Sequence, residues 1–321
     1  MWRTLLRRFF ILIPQLIALT LVVFVLAQFM PGDALTGLID PDMTAEDMEI
    51  IRTQLGLDVP WYTQYSRWII AIITEGDFGR STSHMRPVTD IIGERAANTF
   101  RLSLISAILT YLIATPLGVI AGKYKGHFID RAIVFYTFIA LAMPTIVFAM
   151  INVFIFGFNL RWFPTHGSVD VTLASGTLGY WLSRIHHIML PALTGALLST
   201  VTIINLLRSE IIHYQDTDFV RCAKAKGVPS SKIYTRHIFK NASLPVISSL
   251  SFIVASLLTG SIFIEQIFSY PGMGNLFITA ILQRDFPVVN GLVVLYGVFT
   301  VLGTLLADVI VTIVDPRIRI K

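Results

Sequence analysis

The sequence predicts an all-α integral membrane protein with six transmembrane helices, and three observations lead there. Hydrophobic residues make up 54% of the 321 positions and charged residues 14%, against about 25% charged in soluble domains, and mean hydropathy is +0.70. Six stretches, at 9–29, 100–121, 132–157, 189–207, 242–264 and 288–310, are close to the roughly 20 apolar residues needed to cross a bilayer. Cations are also sorted by side. Counting alternate connections as cytoplasmic, Arg3, Arg7 and Arg8, then Lys123, Lys125 and Arg131, then seven between Arg208 and Lys240, then Arg317, Arg319 and Lys321 account for 16 of the 25. The other connections hold the remaining nine, with 14 of the 20 acids. This bias puts both termini on the cytoplasmic side of the cell membrane. The sequence pI near 9.4 therefore reads as topology, not as nucleic-acid binding. One cysteine, Cys222, excludes an internal disulfide framework and any multi-cysteine metal site.

Taken in order, the first span follows three arginines, as a signal peptide would, but its 21 residues lack an A-x-A cleavage site and read as an uncleaved anchor. Residues 30–98 then form a large extracytoplasmic segment with helix signals of its own. Thr44 and Asp47 have the spacing of a capping box, Met48, Ile51 and Leu55 recur on one face, and Gly56 is placed to end the helix. A second helix is expected from Pro60, where Trp61, Tyr65, Trp68 and Ile72 make a stripe suited to a lipid headgroup boundary or a docked partner. There is no solenoid repeat, low-complexity tract or Ser/Gly linker.

The centres of spans two to six contain no Asp, Glu, Lys, Arg or His, with Arg101 and Asp308 at the ends. Carriers driven by protons or sodium use such groups at mid-depth, so the energy source is expected elsewhere. Uncharged polar residues do occur: Thr194, Thr202 and Asn205 in span four, Ser248, Ser251 and Thr259 with Ala255 in span five, and Asn152 eight residues after Pro144 in span three. They read either as close helix packing or as the wall of a path for a polar solute. No phosphate loop, H-E-x-x-H or G-x-S-x-G is present, and Gly122-Lys123 is followed by Tyr124. Neither a catalytic residue nor a metal ligand is assigned. His186 and His187 are adjacent in a loop and read as interfacial.

The long cytoplasmic segment 208–241 implies two short helices. Thr217 or Asp218 can cap the first, Gly227 can leave it in the left-handed conformation, and Pro229 with Ser230 restarts the chain. In the second, Lys232, Arg236 and Lys240 form one stripe, and Ile233, Tyr234, His237 and Ile238 the opposite one. The product is a basic knob. By itself it is equally a solvated loop obeying the positive-inside rule.

The run Asp218-Phe-Val-Arg-Cys-Ala-Lys-Ala-Lys-Gly227 through Asn241-Ala-Ser-Leu-Pro245 resembles the EAA loop of ABC importer permeases, in the branch that imports dipeptides, oligopeptides and nickel. The resemblance spans nearly the whole chain. It includes Pro31-Gly32-Asp33, Leu55-Gly56-Leu57-Asp58-x-Pro60, Gly76-Asp77-Phe78-Gly79-x-Ser81 and Arg95-x-x-Asn98-Thr99. It continues through Phe268-Ser269-Tyr270-Pro271-Gly272-Met273-Gly274, Arg284-Asp285-Phe286-Pro287 and Asp315-Pro316-Arg317-Ile318-Arg319. Arg221-Cys222-Ala223 stands where the general pattern has Glu-Ala-Ala, and the Gly-to-Pro spacing is longer, as in the peptide branch.

The resemblance implies an ABC type I importer transmembrane domain. Residues 1–95 would be the N-terminal helix and extracytoplasmic segment, 96–312 the five-helix domain carrying the coupling loop, and 313–321 a cytoplasmic tail. Partners would be a second homologous permease, two cytoplasmic ATPases that bind ATP and Mg, an extracytoplasmic peptide-binding protein and the lipid bilayer. No cofactor is expected in this chain, and no nucleic acid. The coupling loop would work through Asp218, Phe219, Arg221, Ala223, Lys224, Gly227 and Ser230, and peptide would pass Asn152, Thr202, Asn205, Ser248, Ser251 and Thr259. Alternatives are the same machine carrying nickel, glutathione or another small solute, and a six-helix secondary carrier or channel.

Overall fold

The computed structural model describes the backbone of residues 2–28, 59–249, 257 and 259–314. The expected helix at 44–56, the Pro31-Gly32-Asp33 motif, residues 55–58, Ser251 and Ala255, and the tail at 315–321 lie outside these residues. So do the side chains of Arg3, Arg7 and Arg8.

The described chain is helical, with one isolated bridge between Arg80 and Pro87. In order come α1 (Trp2–Gln28), α2 (Trp61–Glu75), α3 (Val88–Lys123), α4 (Phe128–Ala142), α5 (Thr145–Asn152) and a π-turn (Val153–Asn159). Then follow α6 (Leu178–Gln215), α7 (Asp218–Ala225), α8 (Ser230–Lys232) running through a π-turn (Ile233–Ile238) into α9 (Phe239–Ala242), α10 (Ile262–Ile267), α11 (Met273–Leu282) and α12 (Phe286–Val314). Among the described residues three helices, α3, α6 and α12, are long and apolar enough to cross a membrane, and the α4–α5 pair makes a fourth candidate. Of the fifth expected span, residues 250–256 and 258 lie outside the described residues.

Two expectations change. The third span is not one rod: α4 and the helix beginning at Thr145 meet at a bend of 109°. Met143 is extended (φ −88°, ψ 123°) because the ring of Pro144 excludes the helical conformation from the residue before it, and Pro144 brings no N–H to continue the ladder. The second and fourth spans are longer than a bilayer requires. At about 1.5 Å per residue, the 36 residues of α3 and 38 of α6 reach roughly 55 Å against a hydrocarbon core of about 30 Å. His186 and His187 accordingly lie on α6 rather than in a loop, each with a ring nitrogen bonded to a backbone oxygen, of Trp162 and Ser183 respectively.

α3 and α6 form the spine. Their backbones approach closely because Gly118 and Gly122 recur at a four-residue interval on the contact face. A Cβ built on Gly118 would lie 3.0 Å from Leu207 Cβ, and one on Gly122 2.8 Å from Ile211 Cβ. α1 is laid against α12, where Gly297 admits Leu16 and Leu19. Three apolar clusters result. One joins α3 and α6 to the 208–246 region through Ala121, Ile204, Leu207, Ile211, Val220, Ile233 and Ile238. A second joins Val88 and Ile92 to Met273, Leu276 and Leu292 at the opposite, far end of α3. The third, between them, gathers Leu102, Ala149, Ile188, Ile264, Phe268 and Tyr270.

Candidate functional site

The knob is built from α7, Gly227 and α8–α9, at the end of α6. Thr217 sits at the N-cap with extended backbone, yet its hydroxyl turns back to donate to the Tyr214 carbonyl at 2.6 Å, so the helix starts without a side-chain cap. Asp218 lies in the first turn, where its charge favours the exposed amides. At the other end Gly227 has φ +74°. Its N–H donates to Lys224 O (3.0 Å) and that of Val228 to Ala223 O (3.1 Å), the paired closure that satisfies last-turn carbonyls only when a left-handed residue follows the cap.

α7 is two-sided. Val220 and Ala223 are buried in the cluster below, while Phe219, Arg221, Cys222, Lys224 and Lys226 face outward with Gly227 and Ser230. Asp218 is fully exposed and lies 3.7 Å from Arg221. Of the expected stripes, Lys232, Arg236 and Lys240 are exposed as anticipated, but His237 is exposed too. The π-turn causes the difference: its wider i→i+5 hydrogen bonding shifts the face, so that Ile233 and Ile238, five apart, are the buried pair.

Around the base of the knob, polar contacts join α6 to its neighbours and α3 to the knob, in pairings that sequence reasoning did not find. Arg208 donates to Asp130 through Nε (2.6 Å) and Nη2 (2.9 Å), and Asp130 also accepts from Gly126 N at 2.8 Å. Gln215 Nε2 donates to Gly122 O at 2.7 Å, and Lys123 stands over the ring of Tyr234 at 5.0–5.4 Å from that ring and its own neighbour Tyr124.

Between α3, α5, α6 and α10 lies a cavity of about 560 Å³. Hydroxyls line it: Ser103, Ser106 and Thr110 on α3, Ser199 and Thr202 on α6, and Ser261 before α10. Among the described residues, no Asp, Glu, Lys, Arg or His lines it. Of the expected path residues Thr202 lines it. Ser248 does not; its neighbour Ser249 does, hydrogen-bonded to Tyr111 at 3.2 Å. Thr259 precedes the lining residues Gly260 and Ser261. Asn152 is buried away from the cavity and donates to Phe148 O, and Asn205 takes a long contact of 3.5 Å from Thr137. Ser103, Ser106 and Thr110 were missed, although their i, i+3, i+7 spacing is the signal that marked span five.

At the far end the motifs at 95–99 and 268–274 meet around one buried carboxylate, and those at 76–81 and 284–287 around another. Glu265, fully buried, accepts from Thr99 Oγ1 (2.7 Å), Gly274 N (2.6 Å) and Asn275 N (3.1 Å), and Thr99 in turn accepts from Met273 N (2.7 Å). Gly272 is required there, since any Cβ would overlap the carboxylate. Asp285, also fully buried, takes the hydroxyls of Ser81 and Ser83 and the amides of Thr82 and Ser83. The aromatic stripe of α2 is partly used internally: Tyr65 bonds Thr20 at 2.8 Å, and Tyr65 and Trp68 pack on Phe24 of α1, whereas Trp61 stays exposed. The face left exposed carries Tyr62, Ile70 and Ile73.

Comparison with known proteins gives a consistent answer. Residues 114–320 match the family described as binding-protein-dependent transport system inner membrane component, and residues 1–103 match the family of the N-terminal part of such membrane components. The oligopeptide transport system permease protein AppB of Bacillus subtilis (strain 168) is 37% identical over 314 residues, covering 98% of each chain. A putative peptide transport system permease protein of Brucella abortus (strain 2308) is 33% identical over 96% of each, and the glutathione transport system permease protein GsiC of Salmonella paratyphi A 31% identical over 98% of each. Among solved structures, a chain of the MetNI methionine ABC transporter superposes with a TM-score of 0.55 at 15% identity, covering 71% of this chain and 97% of that one.

Proposed function

The chain belongs to the family of binding-protein-dependent transport system inner membrane components, and on that premise we propose that it is the membrane permease subunit of an ATP-driven importer of peptides. The observation that carries the cargo is the cavity. Its 560 Å³ falls within the range of about 300–1,000 Å³ that small ligands occupy, and its wall offers hydroxyls without a fixed charge. A peptide backbone needs hydrogen bonds wherever it rests, while its side chains vary in charge. A neutral space whose mainly apolar wall carries hydroxyls suits that mixture better than a site with one committed ion.

With no ionisable side chain among the described residues that line the cavity, the work of transport comes from elsewhere. The knob supplies the connection: Asp218, Phe219, Arg221, Lys224, Gly227 and Ser230 dock in a groove of a cytoplasmic ATPase, a helix-in-groove contact, and Ala223 anchors α7 from below. Two such ATPases bind ATP and Mg, a second homologous permease completes the membrane pore, and an extracytoplasmic peptide-binding protein delivers cargo. The termini and the knob are cytoplasmic in this reading, and the far end is extracytoplasmic. Residues 1–95, 96–312 and 313–321 are its anchor segment, transport domain and tail.

The experiment is reconstitution of the assembled importer in proteoliposomes with ATP inside the compartment that holds the knob. ATP-dependent accumulation of short peptides is expected. Accumulation of glutathione alone, or of nickel alone, transfers the same machine to that cargo.

A further inference from the structure

Two arginines converge on one neutral atom near the end of α3 and α6 that lies away from the knob. Arg184 of α6 donates through Nη2 to Asn98 Oδ1 at 2.8 Å, and Arg101 of α3 through Nη1 to the same oxygen at 3.3 Å. Asn98 is buried, and its amide nitrogen donates to Pro271 O at 2.9 Å, which fixes the oxygen toward the guanidinium groups. Arg184 Nη1 has a weak contact with Tyr180 OH at 3.4 Å, and the guanidinium lies near the rings of Tyr180 and Trp181. Among the described residues neither arginine has a carboxylate partner.

This is an expensive arrangement to leave as it stands. Two half-buried like charges repel, and one amide oxygen answers only two of their ten N–H groups. Arg184 Nε and the hydroxyl of the fully buried Tyr270 are enclosed without a hydrogen-bond partner among the described residues. Both guanidinium charges act on that hydroxyl, opposing the burial that pushes it up to about 12. The group is thus rich in donors and positive charge and short of an acceptor.

Its position gives it a use. Arg101 is followed directly by Leu102, a cavity-lining residue, and Arg184 lies seven residues, or about 10 Å along α6, from the lining residue Pro191. Tyr270 shares a cluster with Leu102 and Ile264, both of which line the cavity. The pair therefore lies beyond the cavity's lining residues toward the far end, on the side opposite the knob. Among the described residues the cavity itself offers no cation to an incoming anion.

We infer that Arg101 and Arg184 form a carboxylate-accepting subsite that receives the C-terminal carboxylate of the cargo peptide as it enters the cavity. The planar guanidinium fork matches a carboxylate in a way one amide oxygen cannot, and arginine keeps its charge at any working pH. An acceptor with two oxygens would take up the unspent N–H groups of both residues. The inference rests on the peptide reading above.

The first test follows labelling of the assembled complex by phenylglyoxal, which modifies guanidinium groups, with mass spectrometric readout at each arginine. Millimolar trialanine should slow labelling of Arg101 and Arg184 severalfold and leave the exposed Arg221 unaffected, while trialanine amide should protect neither. Equal protection by acid and amide, or none by either, overturns the subsite. Protection that appears only with cargo-free binding protein assigns the anion to that partner and overturns it equally.

The second test is uptake in proteoliposomes. The parental importer should prefer trialanine to its amide by roughly tenfold, Arg101→Gln and Arg184→Gln should bring the ratio near one, and Arg184→Lys should keep part of it. A ratio unchanged in both Gln variants, with assembly verified, places the discrimination in the binding protein and ends the inference. Acid-selective protection in a complex that takes up no peptide would instead remove the peptide reading and leave the subsite standing.

Discussion

Arg208 grips Asp130 across 78 residues of sequence through two hydrogen bonds of 2.6 and 2.9 Å, fastening the start of α4 to α6 one helical turn before the buried Ile211. Asp130 is almost wholly enclosed and Arg208 is 28% exposed, so the pair is neither a surface bridge of negligible value nor fully desolvated. It lies where motion of the knob would pass into the membrane helices.

Asp130→Asn should therefore destabilise the chain by about 2–3 kcal/mol, because half of the fork is lost and a partly buried guanidinium is left without its charge partner. Thermal unfolding in detergent reads this directly. In a double-mutant cycle, Arg208→Gln added to Asp130→Asn should cost much less than the two singles summed. Additive losses would mean that the residues do not act as a pair.

Gly227 separates conformation from docking. Nothing lies within 4 Å of a Cβ placed on it, so Gly227→Ala meets only the cost of a left-handed residue, about 1 kcal/mol, and coupled transport should continue. Gly227→Trp projects outward from the knob. It should assemble normally yet abolish substrate-stimulated ATP hydrolysis. Parental coupling in the Trp variant would return segment 208–241 to the status of a solvated basic loop.

Gly122→Leu tests the spine. Even a Cβ there would come 2.8 Å from Ile211 Cβ, and α3 and α6 must separate to admit a whole side chain. A loss of about 2–3 kcal/mol, or failure to accumulate folded protein, is expected. Gly126→Ala, with open space around it and φ +79°, is the matched control and should be mild. Proteolysis of both variants in membranes distinguishes them.

Glu265, just beyond the fifth expected span, gives a pH dependence with a definite sign. Burial pushes its carboxyl above the ordinary 4.5, against the opposing hydrogen bonds from Thr99, Asn275 and Gly274. The folded state then holds a proton that the unfolded chain has released, so this group's contribution is greatest below about pH 4.5 and declines as pH rises through the raised value. Glu265→Gln should remove that slope from the unfolding midpoint. An unchanged slope would show that other groups produce it.

Local chemistry was well represented in the sequence. The left-handed Gly227 followed from a short helix, a glycine and a proline in succession, and the start of α2 after Pro60 followed from proline at a helix boundary. Both are decided within a few residues. Pro144 was visible in the third span, but the extent of the bend was not, since a proline in a membrane helix is accommodated as often as it breaks the rod. The α2 stripe was correct as periodicity, but Tyr65 and Trp68 turn toward α1 while Trp61 stays exposed. Periodicity identifies a face that wants burial, and only the placement of Phe24 on α1 decides that protein covers it.

What the sequence by itself determined is the all-α membrane character, because a chain of long apolar runs must satisfy its backbone internally and helices do so without distant partners. It also determined the helix–glycine–helix knob and the neutrality of the spans, which are matters of composition and short spacing. The tertiary structure alone decided which polar groups meet: Asp130 with Arg208, Thr99 with Glu265 across 166 residues, Ser81 with Asp285 across 204, and Arg101 with Arg184 on one asparagine. A lone charge in a sequence states that it needs a partner. Its identity is fixed by how close two helices can come, and in this protein that distance is set by glycines such as Gly122 that carry no charge at all.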